Sequence, residues 1–345
     1  MCHIAGTVLL TVFSAVCAGL GADSLPGPMH GLALRSVELV YQEEFDKALE
    51  TAKQIVRRVP QRPEGYFFCA VVLDSWAGYY QSSNRENEFY RYCELAVERG
   101  EAVLDRDPDD RWATFFVGGT EGLKGNYESR YERWITAFRN GWKGVSRLLE
   151  LGERASSIYD VNYGIGTYYY WRSAMTKVMF WLPGVEDKRA EGIERLRKSM
   201  NHGVYTRQAS AANLVDILVN EKRYEEAVAL ADSMLLRYPG ALSFWWGKAR
   251  ALYGLGEFQT ATENFKGILG KVESERLDNH YNAVRCHYWL AKTHFARGLY
   301  EKSVAECNRM GYYSLSQEIE KRLSKHFDEA AQLIKKARSR YAKGK

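Results

Sequence analysis

The chain has 345 residues, of which 46% are hydrophobic, 13% aromatic and 26% charged, with only 7 prolines. This composition is typical of a folded chain with a large core, and it excludes the disordered, collagen-like and mucin-like classes. The formal net charge is +5, but the tail from Ala331 carries Lys and Arg without acids, so the excess is confined to one end. A basic tail of this kind does not predict a nucleic-acid partner.

An apolar run, Ile4–Leu20, opens the chain and is followed by small residues and then by Pro and Gly. Such a run is typical of the hydrophobic region of a signal peptide, with Ala18 or Ala22 as the residue before cleavage. We therefore expect residues 1–22 to be a signal peptide. The mature chain is then expected to be exported and to lie in the periplasm or cell envelope.

Two alternatives for this segment remain open, and both would give membrane association through the N-terminus. The first three residues contain no Lys or Arg, so the run could instead be an uncleaved membrane anchor. The residues before Cys17 match a lipoprotein signal in part, which leaves open that this cysteine carries a lipid. No other stretch of 18 apolar residues exists, so no further span is predicted.

A short pattern recurs along the chain: a polar turn, an aromatic residue, two further residues and then a small residue. It occurs at residues 42–48, 221–227, 254–261 and 297–303. Ala227 and Ala261, the small residues of two successive copies, are 34 residues apart. Self-similarity at this period predicts a repeat protein built from helical hairpins.

The pattern resembles the tetratricopeptide repeat (TPR), most clearly over residues 208–310 and 32–60. Bulky and small residues at Trp245 and Ala249 match the first helix of that repeat (helix A), and Ala261 with Phe265 matches the second (helix B). The resemblance implies an all-α, right-handed superhelical solenoid of about seven helical hairpins over residues 32–341.

Within this solenoid, the chain is expected to turn between helices near Glu43, Glu221, Gly256 and Gly298. Gly166, Ala227 and Ala261 are predicted to be small so that two helices can approach closely. The last element, Leu315–Tyr341, has apolar residues on one face and charges on the other, as expected of the C-terminal capping helix of an open array.

Four cysteines remain beyond the N-terminal run: Cys69, Cys93, Cys286 and Cys307. They form two pairs, each within one predicted hairpin, so a disulfide inside a hairpin is conceivable in an oxidising compartment. The favoured alternative is that all four are unpaired and pack as small apolar side chains.

Sequence motifs for catalysis and for metal binding are absent. The chain contains no Walker A loop, no HExxH and no Gly-x-Ser-x-Gly. His280, His287 and His294 recur every seven residues on one predicted helix, which separates neighbours by about 10 Å, too far to share a metal ion. We therefore predict no enzymatic activity, no metal and no cofactor.

A binding surface is the remaining candidate, because TPR arrays bind ligands on a concave wall made by the A helices. Transferring those positions from repeat to repeat gives Trp112, Phe115, Tyr163, Thr167, Tyr170, Asp216, Trp246, Arg250, Tyr253, Arg285, Tyr288 and Lys292. Aromatic rings interleaved with Arg and Lys favour an acidic or carboxylate-ended peptide. Several of these residues, such as Phe115 and Tyr163, could instead pack between repeats.

The favoured function is a non-catalytic scaffold that binds a protein or peptide in the concave groove. The alternative is a carrier of a small molecule or glycan, whose pocket would use Tyr163, residues 168–171 and Trp181. A deep closed pocket would favour the carrier, and an open continuous groove would favour the scaffold.

Overall fold

The computed structural model describes residues 23–155, 157–176, 186–275 and 279–343. All regular secondary structure in these ranges is helical, which confirms the predicted fold class. The predictions for residues 1–22, Cys17 and Trp181 lie outside the described residues. None of the described helices is both long enough and apolar enough to cross a membrane.

Fifteen α-helices and one short 3-10 helix make up the described fold. They are α1 (Pro28–Tyr41), α2 (Phe45–Arg58), α3 (Glu64–Tyr80), α4 (Glu86–Leu104), α5 (Arg111–Arg130), α6 (Trp134–Arg154), α7 (Val161–Thr176), α8 (Arg189–His202), α9 (Arg207–Asn220), α10 (Tyr224–Arg237), α11 (Leu242–Leu255), α12 (Phe258–Glu273), α13 (His280–Ala296), α14 (Tyr300–Arg309), the 3-10 helix (Met310–Tyr312) and α15 (Gln317–Lys343).

Consecutive helices pair into seven hairpins, from α1 with α2 to α13 with α14, and α15 follows as a single helix. This arrangement confirms the predicted solenoid of about seven hairpins with a C-terminal helix. The odd-numbered helices up to α13 are the A helices, and their even-numbered partners are the B helices. Each hairpin also packs against the next one, so the core is continuous along the array.

The turns between paired helices repeat one backbone geometry. Glu43, Lys222, Gly256 and Gly298 each have a positive φ, between 59° and 84°. The amide of the residue that follows this left-handed residue bonds back to a carbonyl in the last turn of the helix, as in Glu44 N to Leu39 O at 2.9 Å. This bond pattern is a Schellman motif, which ends a helix with a left-handed residue. The turns predicted near Glu43, Glu221, Gly256 and Gly298 are confirmed.

Small residues let paired helices approach closely. A Cβ built on Gly166 of α7 would lie 2.7 Å from the carbonyl oxygen of Gly192 in α8. A Cβ built on Gly144 of α6 would lie 2.5 Å from the carbonyl oxygen of Gly118 in α5. Ala227 is completely buried. Backbone of one helix thus lies directly on backbone of the next, which a larger side chain would prevent.

The array closes on itself, because hairpin 1 contacts hairpins 5 and 6. The ring of Tyr41 stacks on that of Phe244, with centroids 6.1 Å apart. Glu43 accepts a hydrogen bond from the Leu242 amide at 2.6 Å and pairs with the Lys271 ammonium. Both partners lie about 200 residues further along the chain.

Hairpin 2 completes this closure by contacting α13 and α15. Asn282 of α13 donates from its side chain to the Tyr79 carbonyl oxygen at 2.8 Å, and Arg322 of α15 donates to the Gln81 carbonyl oxygen at 3.0 Å. We call the contacts of hairpins 1 and 2 with hairpins 5 to 7 and α15 the seam. The seam corrects the prediction of an open array: α15 is held against hairpin 2.

The four cysteines of the described residues are free thiols and are buried. Burial raises the pKa of Cys69 to about 12 and that of Cys307 to about 11. Thiols held in the protonated form are weak nucleophiles, so these cysteines serve as small apolar packing residues.

Candidate functional site: the central cavity

The A helices surround one cavity of about 550 Å³, which we call the central cavity. All seven A helices contribute side chains or backbone to its wall. One lining residue from each, in chain order, is Tyr41, Asp74, Gly122, Trp171, Asn213, Trp246 and Arg285. The volume falls within the range of roughly 300–1,000 Å³ that is typical of ligand sites.

The side of the cavity built by α3 and α5 carries a neutralised ion pair. Arg130 bonds Asp74 at 2.8 Å, and Asn126 donates to the same carboxylate at 3.0 Å. Burial alone would lower the pKa of Arg130, but Asp74 more than compensates and raises it. This wall therefore contributes fixed dipoles and little net charge.

The side built by α9, α11 and α13 is more positive. Arg250 bonds Asp216 at 2.9 Å, so one cation has a counterion. The guanidinium of Arg285 lies 4.5 Å from the ring centroid of Trp246 and 5.6 Å from that of Tyr281. Arg285 has no hydrogen-bonded carboxylate or carbonyl among the described residues, and burial lowers its pKa.

Lys292, nearly two turns beyond Arg285 on α13, has similar surroundings. Its ammonium lies 4.4 Å from the ring centroid of Trp289 and 5.2 Å from those of Tyr253 and Tyr288. Burial lowers the pKa of Lys292, and no described carboxylate pairs with it. Aromatic faces stabilise cations, but they bring no negative charge. Neither of these two cations of α13 therefore forms a salt bridge with a described carboxylate.

A second depression, of about 630 Å³, lies at the turns of hairpins 5 and 6. Lys222, Tyr253 and Trp289 line it. Arg250 lines both this depression and the central cavity. The two spaces thus share Arg250 as a wall residue, and we call the depression the mouth.

Most of the residues predicted for the concave wall line these two spaces. Those in the central cavity are Phe115, Tyr163, Thr167, Asp216, Trp246, Arg250 and Arg285, and Tyr253 lies in the mouth. Lys292 lies over the ring of Tyr253. The structure therefore brings the predicted cations of α11 and α13 to one side of the concave face.

Tyr170 is a correction to the predicted wall. Its side chain is completely buried, and its hydroxyl donates to Glu221 at 2.8 Å and accepts from Asn220 at 2.6 Å. Tyr170 packs toward α8, where Gly192 approaches its backbone. The next residue, Trp171, lines the cavity instead, because one position on a helix is a rotation of about 100°.

Trp112 and Tyr288 are also corrected. Trp112 stacks on Phe116 and meets the ring of Tyr205, so it joins the packing between α5 and the segment before α9. Tyr288 is only 4% exposed, because α15 covers it and its hydroxyl bonds Glu329. Both are packing residues of the fold.

The residues proposed for a carrier pocket are divided between two surfaces. Tyr163 and Trp171 line the central cavity, where the Trp171 indole N–H donates to Asn213 Oδ1 at 3.0 Å. Tyr168 instead meets Trp142 of α6, with ring centroids 6.2 Å apart. The amides of Asn126, Asn213 and Asn282 were not predicted, since isolated Asn residues carry no sequence signal for a wall.

Metal chemistry finds no support in the described ranges, where no group of three or more His, Cys, Asp and Glu side chains is arranged to hold an ion. The three histidines of α13 are separated along the helix, and His287 bonds Glu306 at 2.7 Å and Tyr313 at 3.0 Å. His287 therefore has two protein partners.

Comparison with known protein families identifies a repeat in one part of the chain. The sequence profile described as Tetratricopeptide repeat matches residues 213–276, which contain hairpin 5 from the middle of α9 onward and all of hairpin 6. Comparison with curated proteins finds no match.

Solved structures share the fold at low sequence identity. A Rap protein complexed with Competence and Sporulation Factor is 12% identical, with 90% of this chain and 87% of that chain covered and a TM-score of 0.53. A thermophilic TPR protein in Thermus thermophilus is 16% identical over 65% of this chain and 99% of that chain, with a TM-score of 0.41. A TPR protein from Parabacteroides merdae is 12% identical over 90% and 98%, with a TM-score of 0.40.

Proposed function

We propose that this chain, a tetratricopeptide-repeat protein, is an exported and non-catalytic binding protein that takes a short acidic segment of a protein partner into its central cavity. The TPR fold is one of protein–protein interaction scaffolds. Its location in the periplasm or cell envelope is inferred from the apolar run of residues 1–22 alone. The observation that carries the ligand class is a pair of cations of α13 that form no salt bridge with a described carboxylate. Arg285 lines the central cavity, and Lys292 lies over the rings of Tyr253 and Trp289, which line the mouth.

The size of the occupant follows from the seam. Because hairpins 1 and 2 contact hairpins 5 to 7, the concave face is surrounded by protein and a folded domain does not fit into it. A volume of about 550 Å³ suits a few residues of extended chain. Aromatic faces such as Trp246 would supply buried area, and the asparagine amides would bond the backbone of the segment.

Blocking the cavity tests this proposal. A Cβ on Gly122 would meet no atom within 4 Å, and Gly122 lines the cavity, so Gly122→Leu should project a side chain into empty space without disturbing the fold. Gly267 of α12 is exposed and has equally open surroundings, which makes Gly267→Leu the matched control. Partners cross-linked to the full chain in an envelope extract of its source are identified by mass spectrometry.

We expect one partner to be captured by the wild type and by Gly267→Leu, but not by Gly122→Leu. Capture that is equal for all three proteins would remove the cavity from the proposal. The charge requirement is tested separately with the double variant Arg285→Gln and Lys292→Gln, which removes the two cations that form no salt bridge. The double variant should lower the affinity for that partner at least tenfold, about 1.4 kcal/mol, and make the remaining binding less sensitive to salt. Full affinity in the double variant would contradict an acidic ligand.

The carrier of a small molecule is a second candidate, favoured by the enclosed shape of the cavity. Tyr163 and Trp171 would then contact the ligand, with the Asn213 amide and Thr167 hydroxyl, 2.7 Å apart, as polar groups. Native mass spectrometry of the purified chain distinguishes the two candidates. A bound small molecule that Gly122→Leu lacks would favour the carrier.

A further inference from the structure

The charges of α15 change along the helix. Residues 317–330 carry four acids and three Lys or Arg, whereas residues 331–343 carry five Lys or Arg and no acid. Four of these five cations, Lys335, Lys336, Arg338 and Arg340, are exposed, and none of the four forms an ion pair or a hydrogen bond with a described residue. We call these four residues the basic end.

Neither the capping of the array nor the helix dipole accounts for the basic end. A capping face must be polar, and the first half of α15 meets this need with charges of both signs. The helix dipole stabilises cations only in the last turn, but Lys335 and Lys336 lie about two turns before Lys343, where α15 ends. Like charges such as Lys336 and Arg340, four residues apart, repel each other. An anionic partner would relieve this repulsion.

The fold holds the basic end in place and uses up most of its apolar face. Leu333 and Ile334 pack against the core that α13 and α14 build, and Ala337 is completely buried. Tyr341 is the one large apolar side chain in this half of α15 that is exposed. A basic amphipathic helix binds a bilayer through a free apolar face. Because that face is covered here, an acidic polypeptide suits the basic end better than a membrane.

α15 brings the basic end to the same edge of the array as the mouth. Its start lies near the start of α13, where His280 Nδ1 is 2.9 Å from the Ser314 carbonyl oxygen. Its middle lies near the middle of α13, where Tyr288 bonds Glu329. The two helices therefore run in the same direction and end at the same edge. The turns of hairpins 5 and 6, which line the mouth, also follow the C-terminal ends of A helices, α9 and α11.

We propose that the basic end is a docking surface for an acidic stretch of the same protein partner whose segment enters the central cavity. The inference rests on the proposed function only for the identity of that partner. α13 separates the mouth from α15, so the basic end lies about two helix spacings, roughly 20 Å, from the mouth. About six residues of extended chain span this distance. The acidic stretch is therefore expected about six residues from the part of the partner that contacts the mouth.

The exposure of these cations determines what they can bind. The neighbouring turn of hairpin 7 adds exposed Arg297 and Lys302 and one exposed acid, Glu301, so the edge stays positive. A single pair between exposed charges contributes little to affinity. Several carboxylates in sequence are therefore needed, and their binding should weaken steeply as salt is added.

Binding of a fluorescent octaglutamate amide to the full chain tests the basic end. Fluorescence anisotropy is measured in about 20 mM NaCl, where surface charges are weakly screened. We expect the triple variant Lys335→Gln, Lys336→Gln and Arg340→Gln to lower the affinity at least tenfold. Equal affinity in this variant and in the wild type would overturn the proposal.

Two control variants separate the position of the charges from their number. The first, Arg58→Gln, Arg91→Gln and Arg106→Gln, removes three exposed arginines of hairpins 1 and 2. The second, Lys335→Arg, Lys336→Arg and Arg340→Lys, keeps the charge of the basic end. Both should bind octaglutamate like the wild type. A loss in the first control as large as that in the test variant would show that only net charge matters, and would overturn the docking surface.

Two further measurements distinguish this proposal from its alternatives. Vesicles of phosphatidylcholine and phosphatidylglycerol, in a ratio of about 7:3, are the competing probe. If the test variant loses binding to the vesicles and octaglutamate does not bind at all, the basic end belongs to a membrane and the acidic partner is overturned. Gly122→Leu, which blocks the central cavity, should leave octaglutamate binding in place. Binding lost in Gly122→Leu but kept in the test variant would support the proposed function and overturn the basic end.

Discussion

The close approach of α5 and α6 makes a sharp prediction for the substitution Gly144→Ala. The new Cβ would lie 2.5 Å from the carbonyl oxygen of Gly118 and 2.5 Å from the amide nitrogen of Gly122. Both contacts are with backbone, so no side-chain rotation can relieve them and the helices must separate. Overpacking of this kind costs roughly 1–3 kcal/mol, which exceeds the gain of about 1 kcal/mol expected when Ala replaces Gly in an unhindered helix.

The assay is urea unfolding followed by far-UV circular dichroism. Gly267→Ala on α12 is the matched control, because its Cβ would meet no atom within 4 Å. We expect a lower midpoint for Gly144→Ala and an unchanged or slightly higher midpoint for Gly267→Ala. Equal midpoints for the two variants would refute the argument that backbone contact between α5 and α6 requires glycine.

Three further predictions concern stability. Ala261→Leu should overpack hairpin 6 and lower the free energy of unfolding by roughly 1–3 kcal/mol, whereas Thr260→Leu, at an exposed position of the same helix, should not. His326→Gln should make the free energy of unfolding less sensitive to acid. Because the pKa of His326 is lowered to about 4 in the fold, the wild type should lose stability as the pH falls from the unfolded pKa of 6.5 toward 4. The expected loss is about 1–2 kcal/mol after allowance for partial exposure. An equal loss in both proteins would contradict this. Glu43→Ala should lower the free energy of unfolding, measured by urea titration, by about 2–4 kcal/mol. A change near zero would show that the seam does not stabilise the closed array.

Local features of the fold could be predicted because they recur. Contacts within one hairpin require small residues, such as Ala227 and Ala261, and turn residues, such as Gly256 and Gly298. Because these contacts recur in each hairpin, the same residue types recur at the repeat period and can be recognised in the sequence. The seam could not be predicted in this way. Its pairs, such as Tyr79 with Asn282, are about 200 residues apart and occur once.

The residues of the candidate site could be predicted in the hairpins whose sequences match the repeat most clearly. Asp216, Arg250 and Arg285 line the cavity, and their helices belong to the hairpins with the clearest repeats. Tyr170 was assigned wrongly because a shift of one residue turns a side chain by about 100°, toward the partner helix. The covering of Tyr288 by α15 was missed because α15 lies outside the repeats, so no neighbouring copy indicates which of its faces meets α13.

The seam changes how unfolding should spread through the molecule. In an open array each hairpin contacts only its neighbours, so the ends can unravel while the middle stays folded. Here the first turn, at Glu43, is tied to α12 through Lys271, and Gln81 is tied to Arg322 in the last helix. Neither end is free to fray alone, and the pairing of such distant segments should slow folding. Hydrogen exchange should therefore show similar protection in hairpin 1 and hairpin 6, with opening of the two as one cooperative unit.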